Sequence, residues 1–240
     1  MNDLLKLALD AHGGLERWEK FSKLTARVNA GGVLWPLKGV PGLLDDYDLE
    51  VNTRDQFVSF NRFAGADQRS VYTPDRVSIE NASTGETLQS RDNPRQAFHG
   101  HVLETQWDQL HLVYFASYAM WLYLNQPFLY TRPGFATEEL PPVQENGETW
   151  RRLKVTFPES IATHSREQIT YFGEDGLLRR HDYTVEVSAG ATGANYASGY
   201  QEVNGILVPT KRRVYPIGPD GQKAAEPLLV SIDMSRIHLR

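Results

Sequence analysis

The sequence predicts an α+β fold in which an antiparallel sheet wraps one buried aromatic helix. Segments of strand length with alternating apolar and polar residues occur on both sides of the chain's centre. Between them lies Trp107–Tyr130, the most apolar and aromatic segment, which predicts one long helix that starts near Thr105 and ends just before Pro127. A helix that is apolar on almost all sides must be surrounded by protein, or by protein and an apolar ligand.

The composition is that of an ordinary globular protein and excludes several classes of function. The chain has 240 residues, and we expect them to form one domain, residues 1–240. A formal net charge of −5 gives no basic footprint, so nucleic acid is not an expected partner. The chain has no cysteine, which excludes disulfides and thiolate metal sites. No nucleotide-binding motif is present, and we expect no cofactor.

The N-terminus predicts a helix and gives no sign of a signal peptide. Leu4, Leu7, Ala8 and Ala11 have helical spacing, and no basic n-region or continuous apolar run precedes them. We therefore predict a soluble, cytoplasmic protein, with a periplasmic location only if a leader has been removed. The apolar run Leu110–Leu124 has about 15 residues where a membrane span needs roughly 20, so no transmembrane segment is predicted.

The remaining N-terminal elements are a second short helix, Leu15–Phe21, and a series of strands. The glycine- and proline-rich segment Gly31–Gly42 contains Trp35, and it is expected either to fold over the core or to form a lid at a pocket mouth. The polar segment Asn81–Asn93 is predicted to be a loop. Strands are predicted at Leu24–Ala30, Asp46–Val51, Gln56–Phe63, Arg69–Thr73 and Arg76–Glu80.

The C-terminal half predicts a second run of strands after a proline-rich connection, Thr131–Pro142. Asn204-Gly205 is the strongest hairpin signal in the chain, and Gly173–Gly176 predicts another hairpin turn. Both halves together give eleven segments of strand length, from which nine or ten antiparallel strands are expected. The predicted strands of this half are Arg151–Phe157, Gln168–Phe172, Leu177–Val187, Tyr196–Val203, Ile206–Tyr215 and Leu228–Leu239.

The order of elements, with two sequence segments, resembles the superfamily of outer-membrane lipoprotein carriers (LolA/LolB-like). The segments are AHGGLERWEKFSKLTARV, Ala11–Val28, and YFGEDGLLRRHDYTVEV, Tyr171–Val187. The resemblance is to a soluble branch of that superfamily. It implies a strongly curved antiparallel sheet, an incomplete barrel, whose open face is plugged by helices around an apolar cavity. The lipoprotein-transport role does not follow from the resemblance, because one fold hosts many functions.

The aromatic helix favours binding of a hydrophobic small molecule or lipid as the function, with pure core packing as the alternative. Buried tyrosines need hydrogen-bond partners, and a ligand-lined cavity supplies them more easily than an aliphatic core does. We expect the Trp35 segment to act as a lid. The predicted ligand-binding residues are Trp35, Tyr114, Phe115, Tyr118, Trp121, Phe128, Tyr130, His181 and Tyr183.

Two further hypotheses are an enzyme and a protein-interaction module. Strand alternation places His181 and Tyr183 on the inner face, where they would serve a cyclase, isomerase or hydrolase, unless His181 is an ordinary core histidine. The same alternation places Arg180 and Asp182 on a solvated outer face. The interaction hypothesis rests on an exposed patch around Trp35.

Other histidines were weighed as metal ligands or catalytic groups. His99, His101 and His111 cluster in sequence but lack a second spaced ligand pair, so no metal site is predicted. His164 stands beside Ser165, yet no nucleophile-elbow motif accompanies them. Turn and edge roles are therefore predicted for this pair.

Overall fold

The computed structural model describes residues 2–240, which contain a single antiparallel sheet of 13 strands. The α-helices are α1 (Asp3–Ala11), α2 (Leu15–Trp18), α3 (Leu34–Leu37) and α4 (Gln109–Asn125). Three 3-10 helices span Pro94–Phe98, Phe128–Thr131 and Glu186–Ser188. The strands are β1 (Lys23–Gly31), β2 (Tyr47–Asn52), β3 (Val58–Asn61), β4 (Gln68–Thr73), β5 (Arg76–Asn81), β6 (Thr87–Asp92), β7 (Ala136–Glu145), β8 (Glu148–Thr156), β9 (Glu167–Phe172), β10 (Leu178–Val185), β11 (Ala191–Val203), β12 (Ile206–Tyr215) and β13 (Val230–Leu239).

The sheet consists of two meanders joined where the first strand pairs with the last. Strands β1 to β6 lie side by side in chain order, and so do β7 to β13. The two sets meet where β1 pairs with β13, for example Val28 with Met234. Strands β6 and β7 are the two edges and do not pair with each other. The predicted open antiparallel sheet with one buried aromatic helix is thus confirmed.

Helix α4 begins and ends where its flanking residues dictate. The carboxylate of Asp108 accepts a hydrogen bond from the His111 backbone N–H at 2.8 Å, while the Asp108 N–H donates to His111 Nδ1 at 3.3 Å. This reciprocal capping satisfies donors that the first turn leaves free. Pro127 follows the helix and disfavours helical geometry in Gln126. Within residues 2–240, no helix is long and apolar enough to cross a membrane.

One side of α4 packs on the N-terminal meander. The ring of Tyr114 lies 5.8 Å from that of Tyr72 on β4, centroid to centroid. Farther along the helix, the indole N–H of Trp121 donates to the carbonyl oxygens of Asn52 and Asp55, at 3.0 and 2.7 Å. These contacts hold α4 against β2 to β5, so the opposite side of the helix faces β10 to β13.

The prediction of nine or ten strands was too low: all eleven predicted segments contain strands, and both edge strands were missed. Strand β6 lies in the predicted loop Asn81–Asn93, and β7 lies largely in the predicted connection Thr131–Pro142. An edge strand has one pairing partner and, where it is exposed, no need for an apolar face, so it shows no clear alternation. Pro141 and Pro142 fall at the bulge in β7, where the register shifts and no N–H is needed for the ladder.

The prediction of a solvated outer face for Arg180 and Asp182 was wrong. Both side chains are buried, and Arg180 makes a bidentate ion pair with Asp182 at 2.6 and 2.8 Å. Arg180 also donates to Glu145 Oε2 at 2.9 Å and to the Gly221 carbonyl at 3.1 Å, while the Tyr171 hydroxyl donates to Asp182. The segment around Gly221 and the end of β7 cover this face, which strand alternation alone does not reveal.

Candidate functional site

An apolar cavity lies between α4 and the central part of the sheet. On the helix, the cavity is lined by one face that includes two small residues, Ala116 and Ala119. Larger side chains flank them on the same face, so the alanines leave space that a leucine or aromatic residue would fill. The helical lining residues are Phe115, Ala116, Ala119, Met120 and Tyr123.

The sheet side of the cavity is built by inward-facing residues of β1, β2 and β10 to β13. Gly193 on β11 has a specific packing role here, because a Cβ at that position would lie 2.7 Å from Cε2 of Tyr183. The absence of a side chain lets the Tyr183 ring lie against the strand. The sheet residues that line the cavity are Ala30, Tyr47, Tyr183, Val185, Ala191, Thr192, Gly193, Val214, Val230 and Ile232.

Two segments cover the cavity mouth and are tied to each other. Trp35 of α3 and Trp107 both line the cavity, and Trp35 is 6% exposed. The Trp107 N–H donates to the Lys38 carbonyl at 2.7 Å, and the Gln106 side-chain amide donates to the Leu37 carbonyl at 2.7 Å. The Gly31–Gly42 segment therefore folds over the cavity, as one of its two expected arrangements.

The patch expected around Trp35 takes a different form. Trp35 itself is buried, so its indole does not provide an interaction surface. Apolar side chains nearby are exposed instead: Val33, Leu37 and Val102, at 45, 36 and 47%. They lie on the two tied segments, and these three exposed residues are called the apolar rim.

The first of these two segments also contains a buried amine, that of Lys38. Lys38 is fully buried, and its Nζ donates to the Val102 carbonyl at 3.1 Å and lies 4.6 Å from the centre of the Trp107 ring. Burial lowers the pKa of Lys38 to about 8, an effect that the carboxylate of Glu104 partly opposes. The hydrogen bond from Lys38 to Val102 thus links the two covering segments, residues 33–38 and 102–107, although removing the ammonium group from water costs free energy.

The cavity is narrow in this conformation. It leaves about 70 Å³ for the centres of water-sized molecules. That space suits a few small molecules, whereas an alkyl chain of a lipid needs a pocket of several hundred Å³. Binding of a larger ligand therefore requires this space to widen.

A hydrogen-bonded network of aromatic residues closes the inner end of the cavity. The Tyr123 hydroxyl lies 2.6 Å from that of Tyr183 and 3.0 Å from His164 Nε2, and the Tyr118 hydroxyl lies 3.3 Å from His164 Nδ1. The His164 ring stacks on Tyr183 at 3.8 Å with an interplanar angle of 4°. Burial, followed by the charge of Arg95, lowers the pKa of His164 to about 3, so the imidazole is neutral.

His181 is fully hydrogen-bonded and does not line the cavity. Its Nε2 lies 2.6 Å from Gln168 Oε1, and its Nδ1 lies 3.2 Å from the amide nitrogen of Gln126. Burial, with smaller effects of His164 and Arg212, lowers the pKa of His181 well below its ordinary value. Both ring nitrogens are therefore occupied by glutamine side chains, as expected of a core histidine, and neither faces the cavity.

The structure brings three of the predicted ligand-binding residues to the cavity: Trp35, Phe115 and Tyr183. The other six lie elsewhere in the interior. Tyr114 and Trp121 face the N-terminal meander, and Phe128 stacks on Trp18 at 4.6 Å. The remaining three belong to the polar interior: Tyr118, Tyr130 and His181.

Several lining residues were not among the predicted ones. Ala116, Ala119 and Tyr123 lie on the cavity face of α4, at spacings of three and four residues. Small residues at helical spacing in an otherwise aromatic helix mark the side where the packing leaves space, and this signal was present in the sequence. The sheet residues opposite them depend on the β1–β13 pairing, which local patterns do not reveal.

The histidines near the start of α4 do not form a metal site in this conformation. His101 and His111 have ring centroids 4.9 Å apart, but His111 Nδ1 accepts from Asp108 and its Nε2 lies 3.2 Å from the Ala97 carbonyl. His99 is exposed. Among residues 2–240, no group of three or more side chains is arranged to hold a metal ion.

Comparison with solved structures shows the fold to which this cavity belongs. A LolA superfamily protein from Nitrosomonas europaea is 10% identical, with a TM-score of 0.52, over 98% of this chain and 93% of the other. A DUF1329 family protein from Desulfovibrio piger is 12% identical, also with a TM-score of 0.52, over 99% and 94% of the two chains. The likeness extends over almost the whole chain and confirms the predicted LolA-like fold.

Sequence comparisons add no closer assignment. No protein family model matches the chain, and no curated protein matches it. At identities near 10%, the likeness to the solved structures establishes the fold alone. The predicted cytoplasmic location and the ligand both stay predictions.

Proposed function

We propose that this protein binds a hydrophobic small molecule or lipid-like ligand in the cavity between α4 and the sheet. The observation that carries the proposal is the apolar cavity itself. Ala116 and Ala119 leave this space on the helix side, and Trp35 of the covering segment lines it as well. A protein whose aromatic helix served packing alone would gain stability by filling this space. The LolA-like fold supports the proposal, since the resemblance to that superfamily implies an apolar cavity.

The apolar lining sets what drives binding. Each methylene group that moves from water into such a site contributes about 0.8 kcal/mol. Affinity should therefore rise with chain length until the cavity is full. The exposed rim of Val33, Leu37 and Val102 would guide an apolar molecule toward the covering segments.

The enzymatic alternative has less support than binding. It requires a free acid or base at the cavity, whereas both nitrogens of His181 are hydrogen-bonded to glutamine side chains. Tyr183 lines the cavity, but burial raises the pKa of its hydroxyl well above the ordinary value, which makes it a poor acid.

The test compares two variants at one position on the cavity face of α4. Ala119→Leu adds three carbon atoms to the lining and should reduce binding of an apolar fluorescent dye to delipidated protein at least tenfold. Ala119→Ser keeps the volume and should bind the dye within about threefold of wild type. Native mass spectrometry of freshly purified wild-type protein should reveal co-purified apolar molecules. Delipidated wild type that binds neither the dye nor a fatty acid contradicts the proposal.

A further inference from the structure

The interior contains an arginine whose charge has no counterpart. Arg212 on β12 is 0% exposed, and no carboxylate in residues 2–240 lies within 4.0 Å of its guanidinium. Its one hydrogen bond runs from Nη2 to the Tyr123 carbonyl at 2.7 Å, and the N–H groups at Nε and Nη1 have no acceptor. The other fully buried arginine, Arg180, is paired with both Asp182 and Glu145. A buried charge is ordinarily paired, so Arg212 is the exception.

A second polar group on the same face of the sheet is also incompletely hydrogen-bonded. Asn195 on β11 lies two positions from Ala197, the residue that pairs with Arg212. Its side chain is fully buried beside the Tyr123 hydroxyl, and neither amide atom has a hydrogen-bond partner of normal geometry. Buried polar groups are nearly always satisfied, so these two residues beside Tyr123 indicate a site built for a polar group.

This polar cluster adjoins the inner end of the apolar cavity. The Arg212 guanidinium lies 4.7 Å from the centre of the Tyr123 ring, and Tyr123 lines the cavity. Arg212 pairs across the sheet with Ile232, and Val214 follows it on the same face of β12; both are lining residues. The Tyr123 ring thus lies between the cavity and the unpaired charge of Arg212.

We propose that the ligand is an amphiphile with a single carboxylate, whose chain occupies the apolar cavity and whose head group binds Arg212 and Asn195. This proposal rests on the proposed binding function and specifies its ligand. A carboxylate presents two oxygens to two N–H groups of a guanidinium, and the Asn195 amide adds a third donor. To reach them, the head group displaces the Tyr123 ring from the guanidinium.

The charge balance favours a carboxylate over a phosphate monoester. The cluster supplies one cation, because the other ionisable groups that act on Arg212 are tyrosines, and burial raises the pKa of each hydroxyl so that it stays neutral: Tyr123, Tyr200, Tyr183 and Tyr130. Lys38, another buried cationic side chain, lies beside Trp107 at the covering segments. One negative charge is neutralised by Arg212, whereas the second charge of a phosphate monoester would remain buried and unpaired.

The test compares decanoate with methyl decanoate, which share a chain and differ in head-group charge. With delipidated wild-type protein at pH 7.5, calorimetry should give at least tenfold tighter binding of decanoate than of the ester. Arg212→Met should remove this preference by weakening decanoate binding and should leave ester binding within about threefold. Lys211→Met removes an exposed cation from the adjacent position on β12 and should leave the preference unchanged.

The outcomes separate this inference from the function on which it rests. Equal affinity of wild type for decanoate and methyl decanoate overturns the carboxylate proposal and leaves apolar binding intact. Failure to bind both probes and the apolar dye contradicts the proposed function itself. If Arg212→Met does not fold, the wild-type comparison still decides, and Asn195→Ala, which keeps the charge, should weaken decanoate binding severalfold more than ester binding.

Discussion

At the scale of single residues, three buried histidines are held in their neutral forms. His12 donates from its ring to the Ala8 carbonyl at 2.7 Å and is buried against Phe128 and Tyr200. Burial lowers its pKa to about 4, as burial lowers those of His164 and His181. Each of these side chains is neutral in the folded protein at a pH where it is already charged in the unfolded chain.

Acid should therefore destabilise the protein well above the pH at which carboxylates titrate. Below pH 6.5 the unfolded chain binds protons at the three histidines, whose pKa values in the folded protein are lowered by burial, so the free energy of unfolding falls as the pH falls. The expected loss is about 1.4 kcal/mol per pH unit for each histidine. Urea denaturation at pH 7.5, 6.5, 5.5 and 4.5 measures it.

Two matched variants test whether the buried histidines cause this dependence of stability on pH. His12→Gln keeps a donor for the Ala8 carbonyl but cannot be protonated, so it should reduce the pH slope by roughly one histidine's share. His99→Gln alters an exposed side chain and should leave the slope unchanged. A stability that does not vary between pH 7.5 and 4.5 would contradict the assignment of neutral buried histidines.

The sequence predicted part of this residue-scale arrangement. Alternation along β10 correctly placed His181 and Tyr183 on the inner face, because an interior strand has one register and a period of two. His164 was not placed in this way, and the turn or edge role predicted for it was wrong, because its side chain is fully buried. It lies in the irregular segment between β8 and β9, where no period indicates direction, and its position follows from long-range contacts with α4.

At the scale of elements, the sequence was most informative for α4 and least informative for the sheet edges. The apolar run and Pro127 locate the helix to within a few residues, with a predicted start near Thr105 and an observed start at Gln109. Its direction of packing was not predicted, because a helix that is apolar all round has no amphipathic face to orient it. The edge strands β6 and β7 escaped prediction because their exposed residues carry little alternation.

The capping of α4 gives a prediction at this scale. Asp108→Ala removes the acceptor for the His111 N–H and should lower the free energy of unfolding by about 1 kcal/mol. Asp108→Asn keeps an acceptor at the cap and should cost less than half as much, although both variants lose the exposed ion pair with Arg91. Thermal or urea unfolding of the two variants separates the cap from the ion pair. Equal losses would assign the effect to the ion pair instead.

At the scale of the whole molecule, the sheet depends on one junction between distant parts of the chain. Strands β1 and β13 hold the two meanders together, and the inward residues of both strands help to line the cavity. Alternation predicted each strand separately. Their pairing could not be derived from the sequence, because nothing local in either strand specifies a partner at the other end of the chain.

A charge placed at this junction should disrupt the whole fold. Met234 on β13 is buried opposite Val28, and Met234→Lys should cost about 3 kcal/mol or more, because it buries an unpaired ammonium. Ser235→Lys adds the same charge at the next, exposed position and should change stability by less than about 0.5 kcal/mol. Urea unfolding curves of both variants test the prediction. Similar stability of the two would show that the junction tolerates a charge.

The pairing of β1 with β13 also governs the order in which the protein can be completed on the ribosome. About 200 residues separate the paired positions, and a ribosome adds roughly 5–20 residues per second. The first strand therefore waits on the order of 10–40 s before its partner is synthesised, with one edge unpaired. An unpaired strand edge can pair with another chain, so the newly made first half exposes such an edge until β13 is made.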